Sequence, residues 1–239
     1  MKLSRYTFNG SGTPYDQGSN AIDVLGSYQE LSTSTKGNAT AKENIESETE
    51  GFRGSAIKNG GYYIGRYEAR DGTTDAVRTR STSDTNQITV RSNNYVYNLV
   101  TQPQAASLSQ GMYNDGNFES DLMNSYAWDT AIVFLQECDN RENKTIPYSR
   151  QNSLNTDLAE KGTNETENED VICNVFDMAS NCYEWTTEGH SGGTDEDTPC
   201  VFRGGFYTYI KADGTVERRY YATMNDDSST SSFRPILYL

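Results

Sequence analysis

The chain has one histidine, His190, among 239 residues. One imidazole cannot build a multi-histidine metal site, and in the Gly-rich acidic loop Glu188–Gly193 it reads as a solvated side chain. Cysteine is scarce as well: Cys138, Cys173, Cys182 and Cys200, with none beyond. Their spacing fits neither a zinc ligand pair nor a Cys-x-x-Cys redox motif. Free, half-buried thiols are the simpler reading, and a Cys182–Cys200 disulfide is the alternative if those two lie on neighbouring strands. No apolar run approaches the roughly 18 residues that span a bilayer, which argues against membrane insertion. Met1-Lys2-Leu3-Ser4-Arg5 lacks the apolar core of a secretory signal, so the glycosylation patterns at Asn38, Asn143 and Asn164 carry no weight. Lys and Arg number 20 against 34 Asp and Glu, a net charge of −14. Such a chain repels a phosphate backbone and anionic lipid, so nucleic acid is not an expected partner. No Gly-x-Ser-x-Gly elbow, phosphate loop or dinucleotide fingerprint is present.

What remains is polar and aromatic. Hydrophobic residues make up 34%, little for a helical or α/β enzyme core but enough for a loop-rich fold of short strands. Seventeen Tyr against eight Phe and two Trp is a surplus of rings with polar tips, which suit contact surfaces.

Residues 1–58 are polar and poorly patterned, with a short helix expected over Ala41–Ser47. Residues 60–68 read as a strand bounded by glycines. Helices are expected over Thr101–Tyr113 and, more strongly, over Ser120–Glu137, where Leu122, Met123, Tyr126, Ala127, Ala131, Ile132, Phe134 and Leu135 recur at helical spacing with Trp128 in the core. From Cys173 onward short strands are expected at Val175–Met178, Cys182–Thr187, Cys200–Tyr209, Val216–Tyr221 and Ser232–Tyr238. With no internal repeat and no clear linker, residues 1–239 read as one α+β domain, the lectin-like core described next occupying 60–239.

Five signatures occur in order: residues 61–68 (Gly-Tyr-Tyr-Ile-Gly-Arg-Tyr-Glu), Ala127-Trp128-Asp129, residues 177–186 (Asp-Met-Ala-Ser-Asn-Cys-Tyr-Glu-Trp-Thr), Arg203-Gly204-Gly205 and Phe233-Arg234-Pro235. Together they resemble the formylglycine-generating enzyme (sulfatase-modifying factor) domain, a variant of the C-type lectin fold. The resemblance covers residue 60 to the end. It implies an α+β fold of two helices with short antiparallel strands and much irregular structure. Structural roles follow for Trp185 as a core plug, for Arg203 and Arg234 as pins reaching carbonyls or carboxylates, and for Gly204 and Gly205 at close strand approach or positive φ.

In that family the oxidising members bind copper through two cysteines after Arg-Gly-Gly, and an iron-dependent branch uses several histidines. This chain has neither set, so no catalytic residue and no resident metal cofactor is expected. A structural Ca²⁺ at Asp195-Glu196-Asp197 or Asp226-Asp227 is the one cofactor candidate.

The same frame resembles the variable proteins of diversity-generating retroelements. There a C-terminal segment between Arg-Gly-Gly and the closing Phe-Arg forms an exposed ligand-binding face. The resemblance implies a binding insert at 206–232, with Phe206, Tyr207, Tyr209, Lys211, Tyr220, Tyr221, Met224, Asn225, Asp226 and Asp227 as contacts and Arg218-Arg219 as frame. Tyr-rich segments with Ser, Thr, Asp and Asn have the composition of a paratope. The expected partner is a protein or glycan on a cell surface, the expected place a phage tail or bacterial surface, and a homo-oligomer fits either. A formylglycine-generating-type oxidase with a rearranged site and a structural virion decoration protein are the alternatives.

Overall fold

The computed structural model describes residues 52, 54–56, 58–73, 87–113, 116–138, 171–189, 200–207, 216 and 218–239, and the main chain at 29–30. The expected helix at Ala41–Ser47 and the Asp195–Asp197 cluster lie outside the described residues.

β8 (Tyr183–Gly189) is the longest strand among the described residues and is buried along its whole run. It organises a five-stranded sheet. β1 (Gln29–Glu30) and β9 (Cys200–Arg203) pair with it antiparallel, β10 (Arg219–Ala222) adds to β9, and β11 (Ser231–Phe233) runs parallel to the start of β8. A second sheet places β12 (Pro235–Tyr238) between β2 (Tyr63–Ile64) and β5 (Glu119–Leu122). Two small pairs complete the described strands: β3 (Arg70–Asp71) with β4 (Ile88–Thr89), and β6 (Val171–Ile172) with β7 (Val175–Phe176). The architecture is α+β with small, mostly antiparallel sheets.

Among the described residues two helices pack on these sheets, α1 (Gln102–Gln110) and α2 (Ser125–Cys138), and residues 52, 54–56, 58 and 59 are also helical. α1 starts where Gln104 Oε1 accepts the Thr101 N–H at 2.8 Å, and Gly111 follows its last turn, donating to Ser107 O at 3.0 Å. The long helix expected from Ser120 is instead a strand, a cap and a shorter helix. Leu122 is buried in β5 and pairs with Pro235. Asn124 then caps α2, its Oδ1 accepting the Ala127 N–H at 2.9 Å. Burial along β5 alternates, with Ser120 and Leu122 inside and Glu119 and Asp121 further out, and the helical spacing from 122 onward masked that strand period of two.

The single strand expected over Ser232–Tyr238 is also two. Arg234 sits between β11 and β12, and the chain changes sheets there. Its carbonyl accepts the Met123 N–H at 3.2 Å, while its side chain turns into the interior. Over 60–68 only Tyr63–Ile64 is strand. The polar N-terminal part also reaches the core, since Phe52 and Ala56 are buried. Phe52 packs edge-on against Tyr62 and Tyr238, with ring centroids 5.0 and 5.4 Å away.

The core has two lobes. One gathers α2 side chains, including Trp128, Ala131, Ile132 and Leu135, with Met178, Val216 and Ile236. The other lies under α1 and holds Tyr97, Leu122, Tyr183, Trp185, Phe202 and Phe233. The aromatic side chains of the five-stranded sheet, Tyr183, Trp185, Phe202 and Phe233, all belong to the second lobe.

Candidate ligand-binding surface

Side chains alternate across a strand, so neighbouring registers of one sheet make two different rows. Across β11, β8, β9 and β10 the aligned residues Phe233, Trp185, Phe202 and Tyr220 form one row. The next row is Ser232, Glu184, Arg203 and Arg219. The first is aromatic and the second polar or charged.

The aromatic row grades from core to solvent. Phe233 and Trp185 are fully buried, Phe202 is 4% exposed, and Tyr220 is 45% exposed. The Trp185 and Phe202 ring centroids are 3.6 Å apart, and the indole Nε1 donates to Val100 O at 2.8 Å. Tyr183 continues the row outward. Its ring stacks on Phe202 at 5.7 Å and on Tyr220 at 5.4 Å, and lies 4.8 Å from Phe206. Phe206 meets Tyr207 edge-on at 5.6 Å, and the Arg218 guanidinium lies 5.9 Å from the Tyr220 ring. Tyr220 is thus the exposed end of a continuous ring contact rooted in the core.

The charged row is closed off from water. Arg203 donates to Glu188 Oε2 at 2.7 Å and to Asp129 on α2. Arg219 donates to Asp129 Oδ2 at 3.3 Å and to Glu188. The four buried side chains form a ring of two cations and two anions, with Arg203 also 5.7 Å from the Trp128 ring. Arg234 makes a second centre. It grips Glu184 with Nε at 3.0 Å and Nη2 at 2.5 Å, and donates to the carbonyls of Gly65 and Phe176, each at 2.8 Å. Burial raises the Glu184 carboxyl and Arg234 opposes the rise. Nearby, Glu68 accepts from Asn181 Nδ2 at 3.0 Å and from the Cys182 N–H at 3.2 Å. Burial, then the Asp177 charge, hold Glu68 well above the usual carboxylate range.

Gly204 turns the chain out of β9. Its φ is +78°, and a Cβ there would lie 2.5 Å from Met178 O. Gly205 is buried beside it. From there the expected insert divides instead of forming one loop. Phe206 and Tyr207 are half-buried, and the Tyr207 N–H donates to Asn181 O at 3.0 Å. Val216 returns to the core, where its carbonyl accepts from Trp128 Nε1 at 2.8 Å. Arg219 and Ala222 are buried, Tyr220 exposed and Tyr221 half-buried. A turn at 223–226 follows, with Asn225 and Asp226 exposed and Met224 and Asp227 half-buried. Asp226 accepts from the Thr223 N–H at 3.3 Å. Met224 packs against the aromatic lobe. Tyr209, Lys211 and His190 lie outside the described residues.

Sequence reasoning missed several parts of this surface. Tyr183 is the ring under both Phe206 and Tyr220, and the alternation Tyr183, Trp185 along β8 was its available signal. Asp129 and Glu188 have no sequence cue as partners of Arg203, since they lie 74 and 15 residues away. Of the segment 97–102, which brackets the 224–229 stretch, only Thr101 and Gln102 have a sequence reading, as a helix start.

Neither Cys182 nor Cys200 is in a disulfide, so the pairing considered from the sequence is not formed. Cys182 precedes β8, while Cys200 pairs with Gly189 at its far end, too distant to bridge. Burial, then Asp226, push the Cys200 thiol up to about 12. Among the described residues no group of three or more His, Cys, Asp or Glu is placed to hold a metal, and no helix is long and apolar enough to cross a membrane.

No protein-family profile matches the chain. No curated protein matches it either. Among solved structures the chain is similar to Treponema denticola variable protein 1, with a TM-score of 0.47 and 14% identity over 74% of this chain and 84% of that one.

Proposed function

We propose that this chain is a non-catalytic ligand-binding protein that presents residues 206–232 on a C-type lectin frame. Its setting is phage receptor binding or bacterial surface display, and its partner is a protein or glycan of a cell surface. The observation that carries the reading is the graded aromatic row, which delivers Tyr220 to solvent from a rigid base. A rigid ring with a polar tip gives contact area at low entropic cost, and Asn225 and Asp226 add adaptable hydrogen-bonding groups alongside. The composition of the segment and the order of the sequence signatures support the same reading.

The test is adsorption of labelled protein to a panel of intact bacterial cells and to a glycan array, with Tyr220→Ala alongside. Binding by the parent chain that Tyr220→Ala abolishes at unchanged Tm is the expected result. Full binding by the variant, or a large fall in its Tm, overturns the assignment. Diversification is read from DNA: a reverse-transcriptase gene beside a near-copy of codons 203–234 that differs mainly at adenines.

A further inference from the structure

The turn that carries Met224, Asn225 and Asp226 is held from one side by the segment just before α1. The Leu99 N–H donates to Ser228 O at 3.2 Å, and the Gln102 N–H to Met224 O at 3.3 Å. The Asn98 side chain donates through Nδ2 to Ser229 O at 3.0 Å. All three acceptors are main-chain carbonyls of the stretch 224–229, which begins with that turn. The same segment is fixed to the frame from behind: Trp185 Nε1 donates to Val100 O, and Gln102 Nε2 to Thr186 O at 3.4 Å. Leu99 sits at φ +54°, a left-handed conformation that a branched apolar residue rarely adopts. Its N–H nevertheless bonds to the turn.

We propose that Asn98 is the positioning residue of this surface, clamping the 224–229 turn with Leu99 and Gln102 through its main chain alone. The inference rests on the reading that the turn belongs to a binding face. A clamp that grips carbonyls does not read side chains. Asn225 and Ser229 are exposed, so both can change without cost to the geometry, whereas Asn98, 3% exposed, cannot. Sequence freedom on the turn and sequence constraint on the bracket are then two sides of one arrangement.

The test is amide hydrogen exchange on the free protein, which needs no ligand. Asn98→Ala removes the side-chain clamp, and Asn98→Asp keeps its shape while removing the donor. Both should speed exchange at the Leu99 and Gln102 amides by about tenfold or more, the scale of one lost buried hydrogen bond. The Met123 and Thr187 amides, which bond to Arg234 O and Met123 O, should keep their rates. The double variant Asn225→Ala, Ser229→Ala should leave all four within about twofold, since it removes no clamp bond. Unchanged Leu99 and Gln102 rates in the Asn98 variants overturn the proposal, as does equal acceleration at all four amides. So does a double variant as fast as Asn98→Ala. If the Asn98 variants do not fold, the parent chain decides: Leu99, Gln102, Asp226 and Ser231 amides opening with one common free energy support the clamp, and separate openings overturn it. A chain that behaves as expected here but adsorbs to no cell or glycan loses the binding reading and keeps the bracket.

Discussion

The two rows of the central sheet solve opposite problems with the same strands. The aromatic row gains stability in increments: each ring rests on the next, and its last member is left half in solvent. The charged row gains little from any one residue and depends on being complete. Arg203, Arg219, Asp129 and Glu188 are all buried, and each anion bonds to both cations. Graded burial tolerates change at its outer end, whereas a closed ionic ring tolerates change nowhere. Both rows pass through β9 and β10, so a buried inner side chain and an exposed outer one stand next to each other in the chain at Arg219 and Tyr220.

The sharpest way to break the comparison is Arg203→Ala. It leaves Asp129 and Glu188 buried with Arg219 as the one cation of the ring. Removing one partner of a buried ion pair costs about 3–5 kcal/mol, because the remaining charge loses its compensation. Phe202→Leu, one residue away on the aromatic row, should cost only about 1–2 kcal/mol, as a substitution that leaves the site apolar and mostly filled. Chemical denaturation of the two variants measures the difference. Equal losses would mean that the ring is no more cooperative than the ring stack.

Gly204→Ala comes next. The left-handed φ and the Met178 carbonyl at 2.5 Å act together, and neither can be relieved by a side-chain rotation. An expected loss of about 2 kcal/mol or more follows from the backbone strain and the contact. A smaller loss in the same denaturation experiment would show that the chain leaving β9 is free to shift, and with it the base of the proposed surface.

Much of the charged side was legible as residue types and little of it as partners. Arg203, Arg234 and Trp185 stand out in sequence because they sit in compact signatures, and a buried guanidinium needs carboxylates or carbonyls. Which ones was hidden, since Asp129 arrives from α2 and Gly65 from beyond β2. The strand pattern read from the sequence overlaps β8, β9 and β10, although the strand expected over Cys200–Tyr209 stops at Arg203 and the one expected over Val216–Tyr221 starts at Arg219. It failed at 120–124 and at 234, where one residue changes the period or the sheet: Asn124 by capping a helix, Arg234 by turning inward between two strands. The turn bracket at 97–102 was illegible because its bonds are mainly main-chain bonds, on which side-chain patterns are silent. On the aromatic row the opposite held: Tyr220 was visible as an outlying Tyr, while its support Tyr183 hid inside a signature read as core.

A smaller effect separates the two charged centres. Glu68 belongs to the Arg234 side, and its carboxyl is held well above the ordinary range by burial and then by Asp177. The folded state therefore keeps a proton that the unfolded chain releases near the usual Glu pKa. Glu68's contribution to stability is fully present below that pKa and is lost as pH rises toward the raised folded value. Glu68→Gln cannot ionise and should flatten this fall, measured as Tm against pH upward from about 4. An unchanged slope would place the pH dependence elsewhere, with the similarly raised Glu184 as the next group to replace.

The smallest expected stability change is the most informative about function. Tyr220 stacks on Tyr183 but is 45% exposed, so Tyr220→Ala removes one outer ring contact and opens no cavity. A stacked pair is worth about 0.5–1.5 kcal/mol, and an exposed member sits at the low end. The expected loss is about 0.5 kcal/mol by denaturation. Tyr183→Ala, one ring further in, removes the support shared by Phe202, Phe206 and Tyr220 and should cost about 3–5 kcal/mol, as for a buried aromatic. If the two losses are comparable, Tyr220 is part of the core and the row is not graded. If they differ as expected, residues on the outer end of β10 can change with little effect on the fold, and selection acting on Tyr220 is then selection for what it touches outside the chain.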